Sequence, residues 1–198
     1  FIGDGQNGKI VRSSDNGSSF SSVTSNTSNH LYEVTFGNNT FVGVGQNGKI
    51  VRSSDSGSTW NSMTSPISNH IRGVTFGNNT FVGVGNNGKI VRSTDNGSSW
   101  DNATSPTSYH LYDVTFGNNT FIGVGQDGKI VRSTDNGSSF SYSTNNTTSY
   151  LYGVTFGNNT FVGVGQGGRI VRSIDNGSTW NSSTSPTVHN LLGVTFGE

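Results

Sequence analysis

A unit of about forty residues repeats five times along this chain, and this periodicity constrains the fold more than any other feature. The segment VTFGNNT ends at Thr40, Thr80, Thr120 and Thr160, and the pattern FxGxG begins at Phe1, Phe41, Phe81, Phe121 and Phe161. A fixed period of this length is typical of repeat architectures in which neighbouring units bury a shared core. We therefore expect one domain over residues 1–198, built from repeats 1–40, 41–80, 81–120, 121–160 and 161–198.

Each repeat has the pattern of four short β-strands. In residues 31–70, strands are predicted at 31–36, at 41–45, at 49–53 and from Trp60 onward, since β-branched and aromatic residues dominate there. Asn38-Asn39 and Asn47-Gly48 suit tight turns because both residue pairs tolerate positive φ. The second turn recurs as Asn-Gly, Asp-Gly or Gly-Gly in every repeat, and no segment has helical periodicity.

Four antiparallel strands per forty residues predict an all-β, five-bladed β-propeller. The chain begins on the second strand of a unit, at Phe1, and ends on a first strand that includes 194–196. We therefore predict that the C-terminal strand completes the first blade. This arrangement of one strand from one end and three from the other would close the ring and leave no free sheet edge.

A second motif follows each third strand and carries a family resemblance. The segment 53–60 reads Ser-x-Asp-x-Gly-x-Thr-Trp and recurs in all five repeats. Phe replaces Trp at Phe20 and Phe140, and Ser replaces Thr at Ser19, Ser99 and Ser139. It resembles the Asp-box of BNR-type β-propellers, and the wider repeat is similar to photosystem II assembly-factor-like propeller repeats. The resemblance implies a propeller and a structural role for the motif, with these residues: Asp15, Asp55, Asp95, Asp135, Asp175, Trp60, Trp100 and Trp180.

That resemblance does not fix a function. The family contains sialidases, other glycan hydrolases, sorting receptors, assembly factors and lectins, and one fold supports many activities. Glycoside hydrolysis needs two carboxylates at a defined separation, and few acids lie outside the repeated motif. No Ser-His-Asp set or metal-ligand pattern is evident, so the sequence predicts a protein that is not an enzyme and needs no metal or cofactor.

The composition of the chain limits the classes of molecule that it is expected to bind. Eleven basic and eleven acidic residues cancel, so no overall field favours nucleic acid, and no apolar run is long enough for membrane insertion. The chain has no Cys. Asn, Ser, Thr and Gly dominate its composition, and only 11% of its residues are charged. Such uncharged, hydroxyl-rich sequences are common outside the cell, which favours an extracellular or cell-surface location.

Three repeated motifs have structural interpretations. The pattern GxGxxG at 43–48 precedes a strand, whereas a nucleotide site requires a helix whose N-terminus receives phosphate. Asp15-Asn16-Gly17 lacks the spaced oxygen ligands of a calcium loop. The recurring arginine of the third strand is expected to bond a local carboxylate or carbonyl, although a ring of arginines that binds anions is the alternative. Its copies are Arg12, Arg52, Arg92, Arg132 and Arg172.

The repeats differ mainly in the fourth strand and the loop that follows it. Aromatic, imidazole and guanidinium groups collect in that region, and such groups suit a sugar site in which rings pack against C–H groups. Unconstrained drift of a loop is the alternative explanation. The candidate ligand-binding residues are His30, Tyr32, His70, Arg72, Tyr109, His110, Tyr112, Tyr150, Tyr152 and His189.

Two functions follow from these features. The first is a non-enzymatic extracellular module that binds glycans or cell-surface polymers through inter-blade loops, with one weak site per blade or blade junction and affinity raised by multivalency. The second is a structural protein that self-associates: a subunit of a filament, surface layer or adhesin, or a designed or amplified propeller without a ligand. A protein-docking scaffold of the assembly-factor kind is a third interpretation.

Overall fold

The computed structural model describes residues 1–197 and contains five antiparallel sheets that follow one another along the chain. The first sheet has three strands: β1 (Ile2–Asp4), β2 (Ile10–Arg12) and β3 (Ser21–Val23). Each of the other sheets has four, in sequence order. Their bounds are β4 (Leu31–Gly37), β5 (Thr40–Gly45), β6 (Ile50–Ser53), β7 (Asn61–Met63), β8 (Ile71–Gly77), β9 (Thr80–Gly85), β10 (Ile90–Ser93), β11 (Asp101–Asn102), β12 (Leu111–Gly117), β13 (Thr120–Gly125), β14 (Ile130–Ser133), β15 (Ser141–Tyr142), β16 (Leu151–Gly157), β17 (Thr160–Gly165), β18 (Ile170–Ser173) and β19 (Asn181–Ser183).

The turns between strands have the backbone that their residues favour. Asn38 and Asn39 join β4 to β5 with φ of 48° and 57°. Asn47 and Gly48 have φ of 56° and 70°, and the amide of Lys49 closes the turn on the carbonyl of Gln46 at 3.1 Å. Asparagine and glycine tolerate this region at low cost, which explains their recurrence at these positions.

The core lies between neighbouring sheets, where side chains of two units interdigitate. In one such cluster, Val42 and Val44 of β5 pack with Ile71 of β8, Val91 of β10 and Trp100. Trp60, Trp100 and Trp180 are all buried, and the indole of Trp60 donates to the carbonyl of Gly57 at 3.1 Å. The three indoles thus fill space between neighbouring sheets. Phe20, the equivalent residue in the first repeat, is 52% exposed.

The repeated Asp organises its own turn through hydrogen bonds. Asp55 accepts from the amide of Thr59 at 2.9 Å, and its other oxygen accepts from the Thr59 hydroxyl at 2.6 Å. The hydroxyl side chain of Thr59 and the amide hold the pKa of Asp55 at about 2. The following Gly57 has φ of 80°, and a Cβ there would overlap the side chain of Ile2 in the neighbouring sheet. The turn is therefore both a local motif and a contact between units.

The recurring arginines link neighbouring units through backbone carbonyls. The Nε of Arg52 donates to the carbonyl of Asn96 at 2.7 Å, 44 positions further along the chain. The bonds from Arg12, Arg92 and Arg132 repeat this geometry at the same separation. The expected structural role for this arginine therefore agrees with four of its five copies.

The first strands of the units lie side by side, and each phenylalanine of the VTF segment covers the glycine of the preceding unit. A Cβ at Gly37 would overlap the ring of Phe76, and Gly157 meets Phe196 in the same way. Residues 191–197 thus pack beside β16 as β16 packs beside β12. We call β4, β8, β12, β16 and residues 191–197 the inner segments.

Closure of the first sheet by the C-terminal strand is not confirmed. Within residues 1–197, no ladder joins 191–197 to β1, and these residues have no assigned strand. Phe1 is 71% exposed, whereas its equivalents Phe81, Phe121 and Phe161 are fully buried. The antiparallel propeller-like sheets are as predicted, but the first sheet has only the three strands that the N-terminal repeat supplies.

Candidate binding cavity on the inner segments

A β-bulge near the start of each inner strand sets the direction of one side chain. The ladder between β4 and β5 shifts register between Leu31 and Glu33, so that Tyr32 is the extra residue. The same shift recurs at Arg72, Tyr112 and Tyr152. Bulges commonly re-aim side chains next to binding sites because the extra residue leaves the regular alternation.

These side chains line one cavity. Tyr32, Arg72, Tyr112, Tyr152 and Leu192, which occupy the same place in five repeats, are joined there by Tyr150. We call this space the inner cavity, and its volume is about 540 Å³. Five of the ten predicted ligand-binding residues are thus brought to a single place. In this group, residues of different repeats line one shared space.

Arginine and tyrosine rings organise the inner cavity. The guanidinium carbon of Arg72 lies 5.9 Å from the ring centroid of Tyr32 and 5.7 Å from that of Tyr112. The Nε of Arg72 also donates to Asn86 Oδ1 at 2.6 Å, which fixes the side chain. The ring centroids of Tyr112 and Tyr152 are 5.8 Å apart. Cation–π and tilted ring contacts of this kind hold the rings in fixed positions.

Charge in the inner cavity comes from one residue. Arg72 is the only lining residue with a formal charge at neutral pH. Burial, and then the nearby Tyr150, raise the pKa of Tyr112, so its hydroxyl stays neutral and can both donate and accept. The cavity therefore offers ring surfaces, hydroxyl groups and a single cation.

Three of the predicted histidines accept hydrogen bonds from backbone amides of the protein itself. His30 Nδ1 accepts from the amide of Asn7 at 3.0 Å, and His70 and His110 accept from Asn47 and Asn87 in the same way. Each ring braces a turn of the preceding unit, and Asn190 does the same for Gly167. Tyr150 occupies this repeat position without an acceptor atom in its ring, and its side chain lines the inner cavity instead. His189 is exposed, and its backbone amide donates to the hydroxyl of Thr187 at 3.1 Å.

A second kind of pocket lies between the turn after each second strand and the loop after the fourth strand. Three units have such a pocket, with volumes of about 310, 340 and 280 Å³. In the fourth repeat, the ammonium of Lys129 lies 5.0 Å from the ring centroid of Tyr109 and 5.6 Å from that of Tyr142. Sequence reasoning selected Tyr109 but missed Tyr142, although Tyr142 stands where the other repeats have Ser or Asn.

Two carboxylates lie between inner segments and do not reach the inner cavity. Glu33 Oε2 accepts from the amide of Val74 at 2.7 Å, and Asp113 Oδ2 accepts from the amide of Val154 at 2.8 Å. Burial raises the pKa of Glu33 to about 8, helped by the charge of Asp113, and burial raises the pKa of Asp113 to about 6. These acids join adjacent units through hydrogen bonds to backbone amides.

Residues 1–197 contain no group of three or more His, Asp or Glu placed to hold a metal ion. No helix in this part of the chain has the length and apolar character needed to cross a membrane.

Comparisons with known proteins identify the fold. No protein-family profile and no curated protein matches the sequence. Similar solved structures include YCF48 bound to D1 peptide, with a TM-score of 0.72 and 18% identity, over 93% of this chain and 63% of that one. YCF48 from Cyanidioschyzon merolae has a TM-score of 0.68 and 15% identity, over 94% and 67% of the two chains.

Two further structures extend the range of functions among similar folds. The computationally designed Ika8 protein matches with a TM-score of 0.77 and 14% identity, over all of this chain and 62% of Ika8. An ancestral GH74 enzyme matches with a TM-score of 0.72 and 16% identity, over 88% of this chain and 28% of the enzyme. This chain thus spans less than two thirds of most of these proteins. The likenesses show β-propeller repeats, a class that includes binding proteins, an enzyme and a designed protein.

Proposed function

We propose that this protein is a non-enzymatic, extracellular binding module and that the inner cavity takes a carbohydrate. The observation that carries the proposal is the convergence of four tyrosines and Arg72 on one space of about 540 Å³. Pyranose rings present C–H groups that suit the negative face of an aromatic ring, while tyrosine hydroxyls and a guanidinium pair with sugar hydroxyls. A ligand held by all five inner segments would also bind the units together.

A glycan array followed by calorimetry tests this proposal. Leucine is a mild substitution at these positions, because the fifth repeat has Leu192 where the others have tyrosine or arginine. We expect Tyr112→Leu and Arg72→Leu to weaken glycan binding at least tenfold, because each removes a cavity-lining polar group or ring. Ile174→Thr is the matched control, because Thr94 and Thr134 occupy this exposed position in two other repeats. Binding unchanged in both cavity variants would refute the proposal.

A peptide is the competing ligand. One similar structure is of YCF48 bound to a peptide, and a cavity lined by tyrosine and arginine also suits an extended chain. A peptide-library selection run beside the glycan array separates the two ligands. Enrichment of peptides that is lost in Arg72→Leu, with no glycan bound, would replace the carbohydrate proposal with a protein-docking role.

A structural role by self-association is the second candidate function. Phe1, Phe36 and Phe196 are exposed toward the two ends of the row of units, whereas the equivalent phenylalanines of the internal repeats are buried or half-buried. We propose that residues 191–197 cover β1 within one chain and complete the five-bladed ring. The same faces would join chains head to tail if the ring stayed open. Sedimentation that shows a monomer supports the ring, whereas concentration-dependent polymers support the structural role.

A further inference from the structure

We infer a second, independent sugar site in the fourth repeat, where the pocket around Lys129, Asp127 and Tyr142 takes a neutral hexopyranose. This inference deepens the proposed function, although the site shares no lining residue with the inner cavity. We call it the Tyr142 pocket. It is lined by Asp127 and Lys129 from the turn and strand start, by Tyr142 from β15, and by the loop that contains Asn145 and Thr148.

Departures from the repeat pattern converge on this pocket. Tyr142 stands where other repeats have Ser22, Ser62, Asn102 and Ser182. Asp127 replaces asparagine or glycine, Asn145 replaces serine, and Thr148 replaces serine or valine at their equivalent positions. All four residues line the Tyr142 pocket. Together these four changes alter the chemistry of one concavity.

The groups in the pocket suit a sugar. The ring of Tyr142 is half exposed, and this exposed ring surface can stack on pyranose C–H groups. The Lys129 ammonium is held 5.6 Å from that ring centroid and 5.0 Å from the ring centroid of Tyr109, which positions a donor at the rim. Asp127 supplies an acceptor for vicinal hydroxyls. Because Lys129 and Asp127 have opposite charges, the pair favours a neutral polyol over an acidic one.

The loop side of the pocket is fixed by its own hydrogen bonds. Asn145 donates through Nδ2 to the carbonyl of Gly128 at 3.2 Å, and its Oδ1 accepts from the amide of Thr147 at 3.1 Å. These bonds tie the loop to the turn that contains Asp127. A preorganised wall of this kind lowers the entropy lost on binding.

The test uses methyl α-mannoside, methyl β-glucoside and methyl β-galactoside, titrated into the ¹⁵N-labelled chain and followed by NMR. We expect amide shifts at residues 127–130 and 142–148 for at least one glycoside. Tyr142→Ser, which installs the residue of three other repeats, should weaken that binding at least tenfold. Arg72→Leu should leave it unchanged, so loss of the inner-cavity function and loss of this site are separable.

A gain-of-function variant keeps the inference falsifiable if Tyr142→Ser disturbs the fold. The third repeat has the equivalent pocket, with Lys89 and Asn102 on its walls. Asn69→Tyr, Asn87→Asp and Asn102→Tyr together rebuild there the positions of Tyr109, Asp127 and Tyr142. We expect new amide shifts at 87–90 and 102–107 with the same glycoside. No shift in either pocket with any of the three glycosides, or shifts unaffected by Tyr142→Ser, would overturn the inference.

Discussion

Glu33 occupies a position where three other repeats have glycine, and its carboxyl is buried between adjacent units. Asp113 in β12 and Asp4 in β1 are the charged groups that act on it, and both repel a second negative charge. Burial raises the pKa of Glu33 to about 8 from an ordinary 4.5. The folded state therefore holds a proton that the unfolded chain releases, so stability falls as pH rises from about 4.5 to about 8.

We expect Glu33→Gln to flatten this part of the stability profile, because glutamine keeps an acceptor for Val74 but does not ionise. Urea unfolding at pH 5 and pH 8 measures the effect. The wild-type protein should lose more stability between these pH values than the variant. Equal losses in both proteins would mean that Glu33 ionises normally in the folded state.

Below about pH 4 the wild-type protein and the variant should both lose stability, since the lowered pKa values of Asp55, Asp95 and Asp175 favour their charged forms in the folded state.

The tryptophan at the end of the repeated motif allows a second prediction about a single residue. Trp60 is 1% exposed and fills the space between two sheets, so Trp60→Ala should lower the free energy of unfolding by roughly 3–5 kcal/mol. Phe20→Ala is the natural control, because Phe20 holds the same repeat position but is half exposed. Thermal unfolding of both variants gives the comparison. Similar losses would indicate that Phe20 is covered in solution.

At the scale of elements, the third strands are joined to the next unit by arginine. Arg52 in β6 donates to the carbonyl of Asn96, and its side chain is partly buried. We expect Arg52→Ala to reduce stability by about 1.5–3 kcal/mol, the range for a hydrogen bond to a charged group. Denaturant unfolding measures it, with the salt dependence as a check that the bond is shielded from solvent.

Arg172 in β18 is the matched residue for that experiment. It is exposed, and within residues 1–197 no bond to the carbonyl of Asn16 parallels those of its equivalents. Arg172→Ala should therefore change stability by less than about 0.5 kcal/mol, as ordinary surface substitutions do. If Arg172→Ala costs as much as Arg52→Ala, the last and first units are joined in solution.

Ring closure is a question for the whole molecule, and the Cys-free sequence makes it accessible to spin labels. Labels at Ser14 and Ile174 report on the junction between the last and first units, and labels at Ser54 and Thr94 report on an internal junction. All four positions are exposed. If the ring is closed, pulsed electron paramagnetic resonance should give equal distances between the spin labels of the two pairs. A much longer Ser14–Ile174 distance would contradict closure and leave the terminal faces for another chain.

The features of this protein that depend only on neighbouring residues could be predicted from the sequence. Asn38-Asn39 and Asn47-Gly48 specify their turns because few residues adopt positive φ, and the forty-residue period specifies the order of strands. The buried indoles followed from a motif with its own hydrogen bonds. These features need only neighbouring residues, and repetition multiplied each signal five times.

The site depended on long-range geometry that no single repeat contains. A bulge directs Tyr32, Arg72, Tyr112 and Tyr152 to one cavity, so residues spaced forty apart became neighbours instead of separate sites. His30, His70 and His110 instead turned toward backbone amides of the preceding unit. The contact between Tyr142 and Lys129 is a result of packing and is not visible in the sequence. The sequence by itself determined strands, turns and their repetition, because these are local. Only the tertiary structure decided which side chains meet, because that depends on how the units pack against one another.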